Sequence, residues 1–193
     1  MFLGVTGASG APYAAGILRA LVDSGAEVGV CASAAGVEVL ATELYGDATL
    51  ERDDVLGRFA GDEGDHVTVY GIDDWKSPYA SGSAKVDAYV VCPCSMSTVG
   101  TLAAGAMSNL VHRAASVALK ERRKLVLVPR ETPLSSIHLR GLATLNEAGA
   151  VILFAAPGFY HAPQSVGDLV DFVVARCLDQ LGIDNTLVRR WGT

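Results

Sequence analysis

Short runs of apolar residues alternate along the chain with longer segments in which apolar residues recur every three or four positions. The first pattern is typical of buried strands in a parallel sheet, and the second is typical of amphipathic helices. Strands are predicted at residues 2–6, 27–32, 66–70, 87–92, 125–128 and 150–154. The alternation predicts an α/β fold, flavodoxin-like or Rossmann-like, with a doubly wound and mostly parallel sheet in a three-layer α/β/α arrangement.

The predicted helices lie between these strands and pack on both faces of the sheet. They cover residues 13–24, 33–44, 99–104, 109–121, 134–148 and 165–181. The pattern weakens over 45–83, where only the short strand at 66–70 is predicted, and 93–98 is predicted to be a polar turn. The chain has 193 residues and is 50% hydrophobic, which suits one well-buried core. We therefore expect residues 1–193 to form a single domain.

Charge and cysteine content exclude several functions. The net charge of −6 leaves no excess of cations to neutralise a nucleic-acid backbone. No apolar run reaches the roughly 20 residues of a membrane-spanning helix. The four cysteines, without an N-terminal signal peptide, indicate reduced thiols in a cytoplasmic protein. Their spacing does not suggest a structural metal site.

Gly7-Ala8-Ser9-Gly10 follows the first predicted strand and leads into a helix. Backbone N–H groups and the helix dipole at such a turn can face a phosphate or the polar edge of a ring. The motif favours nucleotide or flavin binding over a merely tight turn. A dinucleotide-binding fold places an acidic residue at the end of its second strand, but this strand ends in Cys31-Ala32-Ser33. Flavin mononucleotide (FMN) therefore fits the pattern better than an adenine dinucleotide.

A second polar turn follows the strand at 87–92. Ser95, Ser97 and Thr98 could hold the phosphate of FMN there, and Ser33 could contact the polar edge of its ring. The alternative for the Ser95 turn is an ordinary helix N-cap. The residues alone leave both possibilities open.

Arg130 and Glu131 leave the carboxyl end of the strand at 125–128, where open α/β sheets place their ligands. They offer a cation for an anion and a carboxyl group that could move a proton. A solvated charge pair is the alternative. Lys120, Arg176 and the hydroxyl of Tyr160 would join Arg130 in a second anion site.

Trp75 and Trp191 lie in polar, irregular segments where a buried tryptophan is unexpected. They are predicted to be either lids of the core or aromatic walls that face a developing cation. His138 and His161 are expected to have packing or hydrogen-bonding roles.

A series of short strings, in order along nearly the whole chain, resembles the UbiX family of flavin prenyltransferases. The strings are Thr6-Gly-Ala-Ser-Gly-Ala, Ala41-Thr-Glu43, Asp74-Trp75, Cys92-Pro-Cys-Ser, Leu119-Lys-Glu-Arg-Arg, Leu127-Val-Pro-Arg-Glu, Pro157-Gly-Phe-Tyr-His and Arg190-Trp191-Gly. The resemblance implies metal-independent joining of a dimethylallyl group, from dimethylallyl phosphate, to N5 and C6 of reduced FMN. It also implies trimers stacked into dodecamers, and prenylated FMN passed to UbiD-type decarboxylases, as in ubiquinone biosynthesis.

The resemblance also assigns roles to residues of this chain. The implied FMN contacts are Gly7, Ala8, Ser9, Ser33, Ser95, Met96, Ser97, Thr98 and Arg130. The implied contacts to the prenyl donor are Tyr160, Arg176, Lys120, Trp75 and Trp191, and the residues implicated in the chemistry are Ser9, Glu43, Lys120 and Glu131. The base that completes ring closure at C6 stays open among Glu131, Glu43 and the released phosphate.

Two other functions remain as alternatives. FMN-dependent cysteine decarboxylases of the phosphopantothenoylcysteine type resemble one another in a Pro-Ala-Ser-Ala-Asn-Thr string and a catalytic histidine, whereas this chain has Pro93-Cys-Ser-Met-Ser-Thr98. A non-catalytic FMN carrier would hold the flavin unchanged, whatever allylic phosphate is added.

Overall fold

The computed structural model of the chain describes residues 1–61, 66–190 and 192. Six strands within these ranges form one parallel sheet. They are β1 (Phe2–Val5), β2 (Val28–Ala32), β3 (Val67–Val69), β4 (Ala88–Cys94), β5 (Lys124–Pro129) and β6 (Val151–Ile152). Their spatial order is β3-β2-β1-β4-β5-β6, so the chain winds outward in both directions from the neighbouring strands β1 and β4. The predicted doubly wound α/β fold is confirmed.

Helices cover both faces of this sheet and complete the three layers. They are α1 (Ala11–Asp23), α2 (Ala34–Tyr45), α3 (Arg52–Ala60), α4 (Met96–Ala103), α5 (Leu110–Lys120), α6 (Ser136–Glu147) and α7 (Val166–Leu181). The buried side chains of α1, α2, α3 and α7 share one apolar cluster. Those of α4, α5 and α6 share a second cluster on the other face.

Strand β5 shows why the sequence pattern is continuous rather than alternating. Val126 and Val128 face the first cluster, while Leu125 and Leu127 face the second. All four side chains are at most 1% exposed. A strand covered on both faces needs apolar residues at every position, which is the pattern that predicted it.

Strand β4 extends further than predicted. It continues through Pro93 to Cys94, across a register shift between Val91 and Cys94 in its pairing with β5. A proline lacks the N–H that a ladder requires, so within sheets it is confined to irregular positions such as this one. The segment predicted as a polar turn is therefore the end of a strand, followed at once by the first turn of α4.

The weakly patterned region after α2 holds a helix that the sequence did not reveal. In α3, Val55, Leu56 and Phe59 are the buried residues, and three charged residues before them and one between them obscure the helical period. The strand predicted at 66–70 is shortened to β3, and residues 62–65 lie outside the described ranges. No helix within those ranges is long and apolar enough to cross a membrane.

Candidate active site

The loops after β1 and β4 meet at the carboxyl edge of the sheet, the edge at which the parallel strands end. Thr6 joins them: its N–H and its hydroxyl donate to the carbonyl of Pro93 at 3.1 and 2.9 Å. The same hydroxyl oxygen accepts the N–H of Ser95 at 2.8 Å. The glycine turn and the serine-rich turn are therefore held side by side, in the crevice where doubly wound sheets bind ligands.

The N-terminus of α1 already holds an anion. Its N-cap is Gly10, whose φ of 137° suits a residue without a side chain and which offers no capping oxygen. Glu43, from the last turn of α2, fills this role: its Oε2 accepts the N–H groups of Gly10 and Ala11 at 2.8 Å each. A carboxylate here is stabilised by the helix dipole. A phosphate group is therefore better placed at α4 than at α1.

These contacts set the protonation state of Glu43. Partial burial by itself raises the pKa of the carboxyl group. Hydrogen bonds from the Ser9 side chain and from the amides of Gly10 and Ala11, with the charge of Arg130, outweigh burial and lower the pKa from its ordinary 4.5. Glu43 is consequently a carboxylate at neutral pH and a weak proton acceptor.

Ser33 and Ser95 begin α2 and α4, and each caps its helix. The Ser33 hydroxyl oxygen accepts the N–H of Gly36 at 3.0 Å, and that of Ser95 accepts the N–H of Thr98 at 3.3 Å. The N-cap interpretation of Ser95 is thus confirmed, but capping occupies only an oxygen lone pair. The Ser33 hydroxyl hydrogen stays able to donate. In the first turn of α4, the Ser97 side chain is exposed.

The turn after β1 has the shape that a close approach to a ring or phosphate requires. A Cβ on Gly7 would lie 2.5 Å from the Cβ of Ala35, and a Cβ on Gly36 would lie 2.5 Å from the carbonyl oxygen of Val5. The start of α2 therefore packs directly against the backbone at the end of β1 and in the turn after it, where there is no room for a further side chain. Backbone N–H groups, serine hydroxyls and the positive end of α4 suit both the polar ring edge and the phosphate of FMN. The residues fit this cofactor.

Arg130 completes the group at the carboxyl edge. Its Nε donates to the carbonyl of Ser9 at 3.2 Å, and its charge acts on Glu43. Glu131 is half-buried, and its Oε1 accepts the N–H of Thr132 at 3.2 Å. The structure thus brings Ser9, Glu43 and Arg130 together, with further guanidinium donors of Arg130 to spare for an anion.

Trp75 does not occupy the core. Its side chain is 51% exposed. The segment that carries it leaves the carboxyl edge, because Tyr70 N–H pairs with the carbonyl of Val30 and the Cys31 thiol contacts Gly71. The lid interpretation is wrong for Trp75 within one chain, while an aromatic wall at this edge is compatible with its position. Trp191 lies outside the described residues.

Tyr160 and Arg176 belong to a second group, beside the edge strand β6. The Tyr160 ring packs against Phe172 with its centroid at 5.7 Å, and the His161 ring stacks on Phe172 at 5.3 Å, in keeping with its predicted packing role. Arg176 lies one helical turn beyond Phe172. Phe172, Arg176 and Phe154 line a cavity of about 310 Å³.

Lys120 lies at the opposite, amino edge of the sheet. It ends α5 just before β5 and forms an ion pair with Glu121. Arg130 follows the other end of β5, and six residues at about 3.3 Å each separate the two ends by about 20 Å. The anion site expected to combine Lys120 with Arg130, Arg176 and Tyr160 therefore does not form within one chain.

Arg52 is a candidate that sequence reasoning missed. Its Nη2 donates to the carbonyl of Ala32 at 3.0 Å, which places a cation at the carboxyl end of β2. This is where a dinucleotide fold has an acid. No signal pointed to Arg52, because the helix α3 that presents it was not predicted.

Other features lie away from this edge or lack reactivity. All four cysteines are buried free thiols, and burial raises the pKa of both Cys31 and Cys94 to about 12. In the described part of the chain, no group of three His, Cys, Asp or Glu side chains could hold a metal ion. A cavity of about 530 Å³ opens at the amino edge, where Met1, Glu27 and Tyr79 are among its walls.

The fold has distant relatives with other chemistry. The FMN-dependent cysteine decarboxylase TvaF of thioviridamide biosynthesis matches with a TM-score of 0.58 and 19% identity, over 94% of this chain and 96% of its own. At that identity the likeness concerns the fold alone.

Closer matches agree on one family. The flavoprotein family model matches residues 1–178. The flavin prenyltransferase UbiX of Pseudomonas aeruginosa is 51% identical, covering 98% of this chain and 92% of that protein. A crystal structure of a UbiX protein in complex with FMN and dimethylallyl pyrophosphate has a TM-score of 0.87 and 38% identity, over 100% of this chain and 96% of its own. A dodecameric FMN-dependent UbiX-like decarboxylase from Escherichia coli O157:H7 has a TM-score of 0.85 and 38% identity, covering 100% of both chains. The chain therefore belongs to the UbiX family of flavin prenyltransferases.

Proposed function

We propose that this chain is a flavin prenyltransferase that transfers a dimethylallyl group to FMN. The observation that carries the proposal is the cluster of Ser9, Glu43 and Arg130, held beside the capped N-terminus of α4 in a chain half identical to a named flavin prenyltransferase. A related structure holding both FMN and a dimethylallyl donor supports the pairing of substrates. We assign dimethylallyl phosphate as the donor, N5 and C6 as the flavin atoms that are alkylated, and prenylated FMN as the product.

The carboxyl edge is assigned to FMN. Reduced FMN supplies the electron-rich ring atoms that take up the allylic group. Gly7, Ala8, Ser9 and Ser33 are assigned to the ring and its polar edge. The first turn of α4 offers Ser95, Met96, Ser97 and Thr98 to the flavin phosphate, with the positive helix end facing it.

Arg130, together with Tyr160 and Arg176 beside β6, is assigned to the departing phosphate. Arginine binds phosphate oxygens in a planar fork and stays charged at every relevant pH. Arg130, Arg176 and the hydroxyl of Tyr160 would stabilise negative charge as it develops on the leaving group. The exposed indole of Trp75, together with Trp191, would offer aromatic faces to the positive allylic carbon.

Glu131 is our assignment for the base that accepts the final proton. Glu43 is the weaker candidate, because its carboxylate already accepts two backbone N–H groups at 2.8 Å and its pKa is lowered. Glu43 instead fixes the glycine turn and the hydroxyl of Ser9 at the flavin. Glu131 follows Arg130 at the same edge without that set of donors.

We propose that the working enzyme is a homo-oligomer, trimers stacked into a dodecamer. A contribution of Lys120 to phosphate departure requires a second copy of the chain, because β5 separates Lys120 from Arg130 within one chain. The dodecameric E. coli neighbour supports this arrangement. We also propose one domain over residues 1–193, a cytoplasmic location, and delivery of the product to a UbiD-type decarboxylase, as in ubiquinone biosynthesis.

Mass spectrometry of the released flavin tests the function. Purified protein is incubated without oxygen with reduced FMN and dimethylallyl phosphate, and separately with the diphosphate. A flavin heavier by one C5 unit, absent without the donor, is the expected result. Unmodified FMN with both donors would reject prenyl transfer and favour a carrier, while release of CO₂ from a peptidyl cysteine would favour the cysteine decarboxylase.

A further inference from the structure

Asp179, in the last turn of α7, is the acceptor for three side chains at once. Its Oδ2 accepts Nη1 of Arg176 at 2.8 Å and Nη1 of Arg190 at 2.7 Å. Its Oδ1 accepts Nη2 of Arg190 at 2.7 Å and Nδ2 of Asn185 at 3.2 Å. A carboxylate has about four lone-pair sites. These contacts therefore use its full capacity.

The position of Asp179 is unfavourable for an acid when α7 is considered alone. The carboxyl end of a helix carries partial negative charge, which disfavours carboxylates in the last turn. The cationic partners offset this unfavourable effect. Hydrogen bonding from Arg190, the largest influence, outweighs burial, which raises the pKa, and holds the pKa of Asp179 below its ordinary value of 3.8. The side chain is also only 17% exposed, so it lies within the cluster rather than on its rim.

Two segments meet at this carboxylate. Arg176 lies three residues before Asp179 on α7, whereas Asn185 and Arg190 belong to the tail that follows the helix. Gly182, at φ 76°, ends α7 and lets the chain turn. The Asn185 amide also contacts the carbonyl of Ala175 at 3.5 Å, so the tail runs back along the helix.

The contact to Asp179 leaves Arg176 able to bind a phosphate. Only Nη1 of Arg176 donates to Asp179, and a guanidinium has five N–H donors in a rigid plane. Fixing one corner of that plane sets the direction of the others.

We propose that Asp179 is a positioning residue of the donor-phosphate site. It orients the guanidinium of Arg176 and, through the same two oxygens, clamps tail residues 185–190 against α7. The inference rests on the proposed function, in which Arg176 binds the phosphate of the prenyl donor. Donor affinity and docking of the tail therefore depend on a single carboxylate.

Asp179→Asn tests the proposal, with Asp171→Asn as matched control. Asp171 lies on the same helix, where it lines a cavity together with Pro12 and Arg19 of α1. With saturating reduced FMN, Asp179→Asn should raise KM for dimethylallyl phosphate about 3- to 10-fold, with a fall in kcat no larger than the rise in KM and with FMN affinity unchanged, because Arg176 contacts the phosphate before and during its departure. Trypsin should also cleave after Arg189 or Arg190 sooner than in the wild type, as followed by intact mass.

Each outcome decides the proposal. An Asp179→Asn protein that matches Asp171→Asn in both measurements overturns it, and a rise in KM without faster tail cleavage overturns the shared clamp. The digestion needs no turnover, so a wild type that makes no prenylated flavin would sink the proposed function while the digestion still tests the clamp. If Asp179→Asn does not accumulate as an FMN-binding protein, Arg190→Lys replaces it. That variant keeps the charge and the trypsin site but loses the two-pronged contact, so faster cleavage supports the clamp and unchanged cleavage overturns it.

Discussion

Glu43 and Glu131 are carboxylates at the same edge of the sheet with different surroundings. Glu43 is surrounded by N–H and hydroxyl donors that come from the glycine turn. Glu131 follows Arg130 after the end of β5, and its carboxylate accepts the backbone N–H of Thr132. The two residues should therefore respond differently to the same change from Glu to Gln.

Replacing Glu131 by Gln should lower kcat by about 2 to 4 powers of ten, because an amide cannot accept the final proton. FMN affinity should be unchanged. Rates of prenylated FMN formation measure the first effect, and flavin fluorescence titration measures the second. Glu147→Gln, on the exposed end of α6, is the control that should leave both intact. Undiminished turnover in Glu131→Gln would remove Glu131 from the reaction.

Replacing Glu43 by Gln should affect stability in a pH-dependent manner. The folded-state pKa of Glu43 is lowered from 4.5, so its charge stabilises the fold above that pH, and the contribution is lost as the pH falls through the lowered pKa. The wild type should exceed Glu43→Gln by about 0.5–1 kcal/mol near pH 7, a modest figure because the side chain is largely exposed. The difference should vanish at acidic pH. Urea unfolding at a series of pH values measures it, and a difference independent of pH would contradict the assignment.

The role of Glu43 also marks a limit of sequence reasoning at this scale. Resemblance identified Glu43 as important, but its contact with Gly10 joins residues 33 positions apart. That contact depends on how α1 and α2 pack, which no local pattern specifies. The N-cap role of Ser95 was easier to predict, because an N-cap and its helix are adjacent in sequence.

At the scale of elements, the turn after β1 and the start of α2 form a close backbone contact. Gly7→Ala should displace α2, since the new Cβ would lie 2.5 Å from that of Ala35. FMN affinity should fall about 5- to 150-fold, because the conformation that binds FMN would bear the overpacking cost, typically about 1–3 kcal/mol. Gly57→Ala in α3 is the control: its Cβ meets no atom within 4 Å, and the helix should gain slightly in stability. Equal FMN affinity in both variants would contradict the close packing.

The elements that sequence predicted well are those whose burial is uniform. Strand β5 is covered on both faces, so its apolar run could be read directly. Helix α3 was missed because only three of its nine residues are buried and four others are charged. The predicted end of β4 came too early, because a proline ordinarily ends a hydrogen-bonded ladder of strands. The register shift that accommodates this proline cannot be inferred from composition.

At the scale of the whole molecule, the separation of Lys120 from Arg130 divides the proposed chemistry between copies of the chain. Lys120→Ala and Arg130→Ala should each abolish most product formation. When the two variants are denatured and refolded together, some sites would combine an intact Arg130 with an intact Lys120 from a neighbour. Recovery of activity in the mixture, measured against each variant refolded alone, is the expected result. Failure to recover, with mixed assembly shown by native mass spectrometry, would confine Lys120 to a structural role.

The hydrogen bonds of Thr6 have a consequence for the binding of FMN. This buried threonine links the β1 loop to the end of β4 by three hydrogen bonds, which couple the two loops to each other. Under the proposed assignment of the β1 turn to the flavin ring and of α4 to the flavin phosphate, we expect the distance between these two contacts to be set before FMN binds. We therefore expect these loops to lose little conformational entropy when FMN binds. We expect the changes that accompany turnover to occur instead at the proposed donor site, beside the tail that Asp179 is proposed to clamp.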